Sequence, residues 1–284
     1  MKLIKNFVLA VVIAVLSLSC ASPVSDSFTE KNLDVTSFNA VEISSGFITE
    51  FKQSDTYSVK LEIPDKAAES LIAEVRTGKL ILGFDTKIWD VTTRKHITYN
   101  RPKAFITAPS IEDISLHGAA ELDFTDGFRT DDIEIEVSGA SQIKGELKAV
   151  KMELELSGAS SCKITVETDK ADIKVSGASS LKSKISANML KLETEGASSS
   201  EVEPLNRNTG AIFEAEVSGA SKLDAANIPF KIVEIEASGA SKAKVCATEK
   251  LDAEASGASK VRYNKTDGLI TQINARGASS IKAQ

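Results

Sequence analysis

The sequence predicts an all-β protein: a right-handed parallel β-helix of about nine short coils, closed at its N-terminal end by an irregular β cap. Three observations carry this. Close copies of the octapeptide Glu136 to Ile143, EVSGASQI, return down the C-terminal two-thirds, as ELSGASSC from Glu155, KVSGASSL from Lys174 and EVSGASKL from Glu216. The repeat glycines Gly118, Gly139, Gly158, Gly177, Gly196, Gly219, Gly239, Gly257 and Gly277 lie 18 to 23 residues apart. Apolar residues alternate with period two on both sides of each glycine, the pattern of strand, bend and strand. A unit of that size cannot bury its own apolar side, so neighbours must stack.

Residues 1–20 read as an export signal. Lys2 and Lys5 precede an apolar run from Phe7 to Leu18, too short for a comfortable membrane span. Leu16-Ser17-Leu18-Ser19-Cys20 resembles a bacterial lipobox with Cys20 as the lipidated residue; the alternative is an ordinary secretory peptide cut nearby. Acyl chains on Cys20 would anchor the protein to a membrane rather than embed it. Residues 21–37 begin small and polar, as a flexible tether should.

Residues 38–110 form the expected cap, with strand-like runs at Tyr57 to Ile63, Lys79 to Phe84 and Lys103 to Ala108. Asp65 to Val75 reads as a helix, with Asp65 as its cap and Ala68, Leu71, Ile72 and Val75 on one apolar face. The lone tryptophan, Trp89, also falls in this region. An atypical terminal unit is the simplest way to cover the open edge of a solenoid.

Residues 111–284 form the β-helix. Four residues before each glycine stand Ile114, Ile135, Leu154, Ile173, Leu192, Ala215, Ile235, Ala253 and Ile273; two before it stand Leu116, Val137, Leu156, Val175, Thr194, Val217, Ala237, Ala255 and Ala275. Four after it stand Leu122, Ile143, Cys162, Leu181, Ser200, Leu223, Ala243, Val261 and Ile281. These are the expected inward columns of a rod about 40 Å tall at strand spacing. The corner glycine implies a backbone angle closed to other residues or an approach too close for a Cβ. Corner serines such as Ser141, Ser160 and Ser179 can bond the bend's own backbone, but parity through the bend leaves open whether they face in or out. Four coils at about 4.8 Å separate Cys162 from Cys246, well beyond the ~7 Å a disulfide spans, so both are expected as free thiols.

The outward columns are sorted by charge. Asp113, Glu134, Glu153, Asp172, Lys191, Glu214, Glu234 and Asp252 make one column, and Glu136, Glu155, Lys174, Glu193, Glu216, Glu236 and Glu254 a second. Five residues after the glycine, Lys144, Lys163, Lys182, Lys244, Arg262 and Lys282 form a basic column interrupted by Asp123, Glu201 and Asp224. Carboxylates about 4.8 Å apart repel by about 0.9 kcal/mol even in water, so Lys174 and Lys191 are expected to relieve the acidic face. Glu134, Glu136, Glu153, Glu155, Glu214, Glu216, Glu234 and Glu236 are the candidate cation or ligand face, weighed against a solvated surface that keeps the rod soluble.

Catalytic patterns are not found. His96 and His117 pair with no nucleophile or orienting acid and lack metal-ligand spacing. The repeated GAS tripeptides are not the GxSxG of a nucleophile elbow. Arg207 lies in the longest departure between coils, Glu201 to Ala211, an insertion loop. No metal or cofactor is expected, and the net charge of -6 does not suggest nucleic acid as a partner.

The leader ending in Cys20, GKLILGF at Gly78 to Phe84, ITAPSIEDISLHGAAELDF at Ile106 to Phe124 and the serial SGAS coils together resemble the auto-transporter adhesin, head GIN domain family of Bacteroidetes. The resemblance covers about Phe38 to Gln284. His117 and Ala120 depart from the SGAS pattern, as a first coil can. The resemblance implies an exported, often lipid-anchored β-helical domain with adhesion as its role, and carries over no catalytic residue. The expected protein is therefore a non-enzymatic lipoprotein of the bacterial cell envelope, anchored in the outer membrane. Its surface would meet a cell-surface glycan or protein ligand; the alternative is a polysaccharide-binding or polysaccharide-active protein on the same scaffold. A homodimer through the C-terminal coil is a further expected partnership.

Overall fold

The computed structural model describes residues 27–85, 87, 100–206 and 210–284. Trp89, His96, Arg207 and the leader with Cys20 lie outside them. The first strands are β1 (Phe28–Leu33), β2 (Ala40–Ile43), β3 (Ile48–Gln53), β4 (Ser58–Pro64), β5 (Leu71–Arg76), β6 (Lys79–Phe84) and β7 (Lys103–Ala108). Then follow β8 (Asp113–Leu116), β9 (Glu121–Arg129), β10 (Asp132–Val137), β11 (Gln142–Leu156), β12 (Ser161–Val175), β13 (Ser180–Thr194) and β14 (Ser199–Pro204). The last are β15 (Gly210–Val217), β16 (Lys222–Ala237), β17 (Lys242–Ala255), β18 (Lys260–Tyr263), β19 (Ile270–Ala275) and β20 (Ser280–Ala283).

From β8 onward each strand pairs in parallel with its counterpart one coil away, giving a β-solenoid of about eight turns. The register matches the glycine alignment: Ile135 faces Leu154, which faces Ile173, which faces Leu192. A chain segment of about twenty residues can satisfy its backbone only through the coils above and below, which is why the pairs are parallel. The three inward columns are buried from Ile114 through Val261, each large member contributing about 1.5–3 kcal/mol of apolar burial. Large side chains fill the core at the Phe51, Phe124 and Phe128 cluster, with centroids 5.3–6.0 Å apart, and again at Phe213 and Phe230, 5.2 Å apart, whereas Ala243, Ala253 and Ala255 occupy the later inward columns.

The coils of β11, β12 and β13 turn at two places. One is the glycine corner. The other lies opposite, where β11 changes its inward parity from Ile143, Leu147 and Ala149 to Met152, Leu154 and Leu156. Val150, at that change, is 56% exposed.

The corner shows why glycine recurs. Gly158 sits at φ +72°, and a Cβ there would lie 2.6 Å from the Gly139 carbonyl oxygen. That carbonyl accepts the Ala159 N–H at 2.8 Å, and Gly158 in turn accepts from Ala178 at 2.8 Å. Both reasons for glycine, the left-handed angle and the close stacking, hold at one position. The corner serines point inward: Ser141, Ser160, Ser179, Ser198, Ser221, Ser241 and Ser259 are all buried. Ser160 Oγ donates to the Ser157 carbonyl at 2.7 Å, and Ser259 Oγ to that of Ser256 at 2.8 Å. Ser221 and Ser241 Oγ have no partner among the described residues.

The N-terminal region contains coil as well as cap. β2 stacks in parallel between β6 and β8, and β3 between β7 and β9, so the first corner of the stack among the described residues is Ser45-Gly46, with both residues at positive φ. Arg101 ties it to the next corner, donating to the carbonyls of Gly46 at 2.8 Å and Ala119 at 2.9 Å and pairing with Glu121. Beyond them β4 lies antiparallel on β7, and β5 antiparallel on β6. The parallel stack thus ends in antiparallel strands. The runs expected at Tyr57, Lys79 and Lys103 are β4, β6 and β7.

The helix expected over Asp65 to Val75 is corrected. Residues Asp65–Ser70 form a short 3₁₀ turn, and Leu71 to Arg76 is strand. Thr77 (φ 48°) and Gly78 (φ 80°) form a two-residue hairpin turn of the kind whose twist matches the flanking strands. That turn pairs Arg76 with Lys79 and Leu71 with Phe84. Asp65 does not cap a helix; its carboxylate accepts from the hydroxyls of Ser27 and, at 2.7 Å, Thr29, which holds it below the usual carboxylate range.

Candidate binding faces

The strands before each glycine corner carry the acidic face. Glu134, Glu153, Asp172, Lys191, Glu214, Glu234 and Asp252 stand in unbroken register, and Glu136, Glu155, Lys174, Glu193, Glu216, Glu236 and Glu254 run beside them. The two lysines expected to relieve the repulsion both turn to Glu193, Lys191 Nζ at 2.7 Å and Lys174 Nζ at 3.9 Å. Lys151 Nζ reaches Glu153 at 2.5 Å. The hydrogen bond to Glu193 holds the Lys191 ammonium above its usual range, as the bond to Glu153 does for Lys151. Glu134, Glu136, Glu155, Glu214, Glu216, Glu234 and Glu236 have no ion pair among the described residues. They line only shallow hollows, one of about 200 Å³ between Glu134 and Lys174. Among the described residues no three metal-ligating side chains gather into a set that could hold an ion.

The strands after the corner carry the other face. Lys144, Lys163 and Lys182 stand in register, followed by Glu201, Asp224, Lys244, Arg262 and Lys282. Lys144 bonds Asp123 at 2.9 Å and Lys182 approaches Glu201 at 3.6 Å. A trough of about 540 Å³ runs between this column and Glu146, Lys184 and Glu203, floored by Gly145, Ile164 and Ser183. Its lysines Lys144 and Lys182 are 63% and 66% exposed, so it is an open furrow between rows of side chains rather than a water-excluding cleft. His117 stands apart from it, half-buried at the first repeat corner, with Nδ1 2.6 Å from Ser138 Oγ.

Cys162 is buried and Cys246 half-buried, and neither is in a disulfide. Burial pushes the Cys162 thiol up, as befits a small core residue rather than a nucleophile. Three further cations escaped the sequence reading: Lys222, Lys242 and Lys260, three residues after their glycines. Their column was legible in the alignment, but its side of the coil was not until the serine before each was seen to face inward.

The described residues thus form a loop-poor β-solenoid with two charge-sorted faces. The chain belongs to the family described as "Putative auto-transporter adhesin, head GIN domain", which matches residues 37–212 and 161–266. Solved structures share the fold. A "putative adhesin" from Parabacteroides merdae is 14% identical with a TM-score of 0.65, over 92% of this chain and 97% of that one. A "putative lipid binding protein" from Parabacteroides distasonis is 16% identical with a TM-score of 0.65, over 92% and 98%. A "putative adhesin" from Bacteroides fragilis is 18% identical with a TM-score of 0.53, over 92% and 98%. No curated protein matches the chain.

Proposed function

We propose that this chain is a non-enzymatic exported lipoprotein, held in the outer membrane by acyl chains on Cys20, whose solenoid displays a repetitive charged surface for adhesion. The observation that carries the reading is the unbroken register of outward charge over eight coils, with no long loop among the described residues to wall off a reaction site. Adhesion by such a surface works through many weak contacts in series, each exposed pair contributing about 1 kcal/mol or less, so the rod's length supplies the affinity. The family assignment supports adhesion and an envelope location. The lipid anchor rests on the sequence before Cys20, and the acidic face is offered as one ligand-contacting surface. The edge of the last coil, where Ile270 is 69% and Ile273 43% exposed, is the place where a second copy would pair.

The test uses two forms of the full chain. Wild type should fractionate with membranes and incorporate labelled palmitate, whereas Cys20→Ala should be soluble and unlabelled. The soluble form should bind target cells or a glycan array saturably and turn nothing over. Soluble wild type would end the anchor reading, and absence of binding to any cell or array surface would end the adhesion reading.

A further inference from the structure

Because the corner serines face inward, the next residue faces outward and shares a face with the basic column. At the corners of Gly219, Gly239 and Gly257 those residues are Lys222, Lys242 and Lys260, in direct register, and Ser280 follows at the corner of Gly277. Two residues further along these four strands stand Asp224, Lys244, Arg262 and Lys282, again in register. Asp224 is the one carboxylate in this pair of columns from Lys222 to Lys282, and Lys244 takes it at 2.8 Å. The other five cations have no ion pair among the described residues. They form a strip about 7 Å wide and about 14 Å long at strand dimensions. It is bordered by the exposed corner alanines Ala220, Ala240 and Ala258 on one side and by half-buried Ala226 and Cys246 on the other.

We propose that this strip is a docking site for a linear acidic polysaccharide, one carrying carboxylate or sulfate groups at intervals along a single chain. The inference rests on the surface-binding reading above and names the ligand class and the face.

Neighbouring cations one coil apart repel by about 0.9 kcal/mol per pair in water, and a polyanion laid along the columns relieves that repulsion while counterions are released. Ammonium groups are compact point charges that accept anions without fixed geometry, which suits a polymer whose charged groups vary in orientation. The strip is two columns wide and runs along the rod, matching a line of charge better than the plane of a bilayer. The same coils present Glu214, Glu216, Glu234, Glu236, Asp252 and Glu254 on the acidic face, so a polyanion is confined to one side. Tyr263 is half-buried and packed against the core, and no exposed aromatic side chain stands in the strip to stack a nucleic-acid base.

The experiment measures binding of the Cys20→Ala chain to polygalacturonate and dextran sulfate, with neutral dextran and phosphatidylglycerol vesicles as comparisons. Binding to the two acidic polymers should weaken by about a hundredfold to five-hundredfold between about 50 and 200 mM salt, as neutralising about five charges implies. It should fall at least tenfold in Lys222→Glu/Lys242→Glu/Lys260→Glu. The milder triple glutamine variant should show the same direction with less repulsion, and circular dichroism should be unchanged in both. Several results would overturn the proposal: retained polymer binding in the folded variants, equal binding to neutral dextran, tighter binding to vesicles than to either polymer, or a salt-sensitive dimer without polymer that the same substitutions abolish. Loss of the strip's role with cell binding intact would leave the adhesion reading standing, whereas no binding to polymers, cells or array would end both.

Discussion

Thr194 Oγ1 lies 2.8 Å from Ser200 Oγ, with both residues buried in the core. Each occupies a column otherwise filled by apolar side chains, and both belong to the coil of Gly196. The two hydroxyls that break the pattern satisfy each other across one corner.

Removing one of them strands the other. Thr194→Val or Ser200→Ala alone should cost about 1–3 kcal/mol, the penalty of an unpaired buried hydroxyl. The double variant should recover most of that, because neither polar group then remains. Urea unfolding of the three variants checks this, and additive losses would show that the pair is not coupled.

The two reasons for glycine at the corner can be separated. Gly268 has φ +78° with nothing within 4 Å of an added Cβ, whereas Gly158 has φ +72° and a carbonyl oxygen 2.6 Å away. Gly268→Ala should cost about 1–2 kcal/mol for the left-handed backbone alone. Gly158→Ala should cost clearly more, because the coils must also move apart. Equal midpoints in denaturant would assign the whole requirement to the angle.

The Lys191 ion pair has a stated pH window. Its ammonium is held above the usual 10.5 by the Glu193 hydrogen bond, so its contribution is fully present below that value and disappears as pH rises through the folded-state value. The melting-temperature difference between wild type and Lys191→Met should therefore persist at pH 8 and shrink as pH rises above 10.5. The effect is small, since the lysine side chain is 45% exposed.

The thiols should differ in reactivity. The thiolate is the attacking species, and burial keeps Cys162 protonated. A thiol reagent added to the native Cys20→Ala chain should modify Cys246 first and reach Cys162 only as the protein unfolds. Mass spectrometry of the labelled peptides decides the order.

Much of the fold was legible because a solenoid writes its stacking period into local alternation. Ile135, Val137 and Ile143 announce an inward column on each side of a corner without reference to any distant residue. The region before Ala108 was harder. Leu71 to Arg76 carries helix-compatible spacing, and only the Thr77-Gly78 turn and the pairing with Lys79 to Phe84 make it a strand. The coil built from β2 and β3 was also obscure, since its corner reads Ser45-Gly46 and its neighbours in space come from later in the chain.

The amino-acid order alone settled the period, the inward columns and the glycine at each bend, because those depend on side-chain alternation within about twenty residues. The folded chain decided which way the corner serines turn, and therefore that Lys222, Lys242 and Lys260 share a face with Lys244, Arg262 and Lys282. That direction is set by a left-handed glycine whose flanking serine and alanine donate their N–H groups to the coil before it, a constraint that exists only once the coils are stacked.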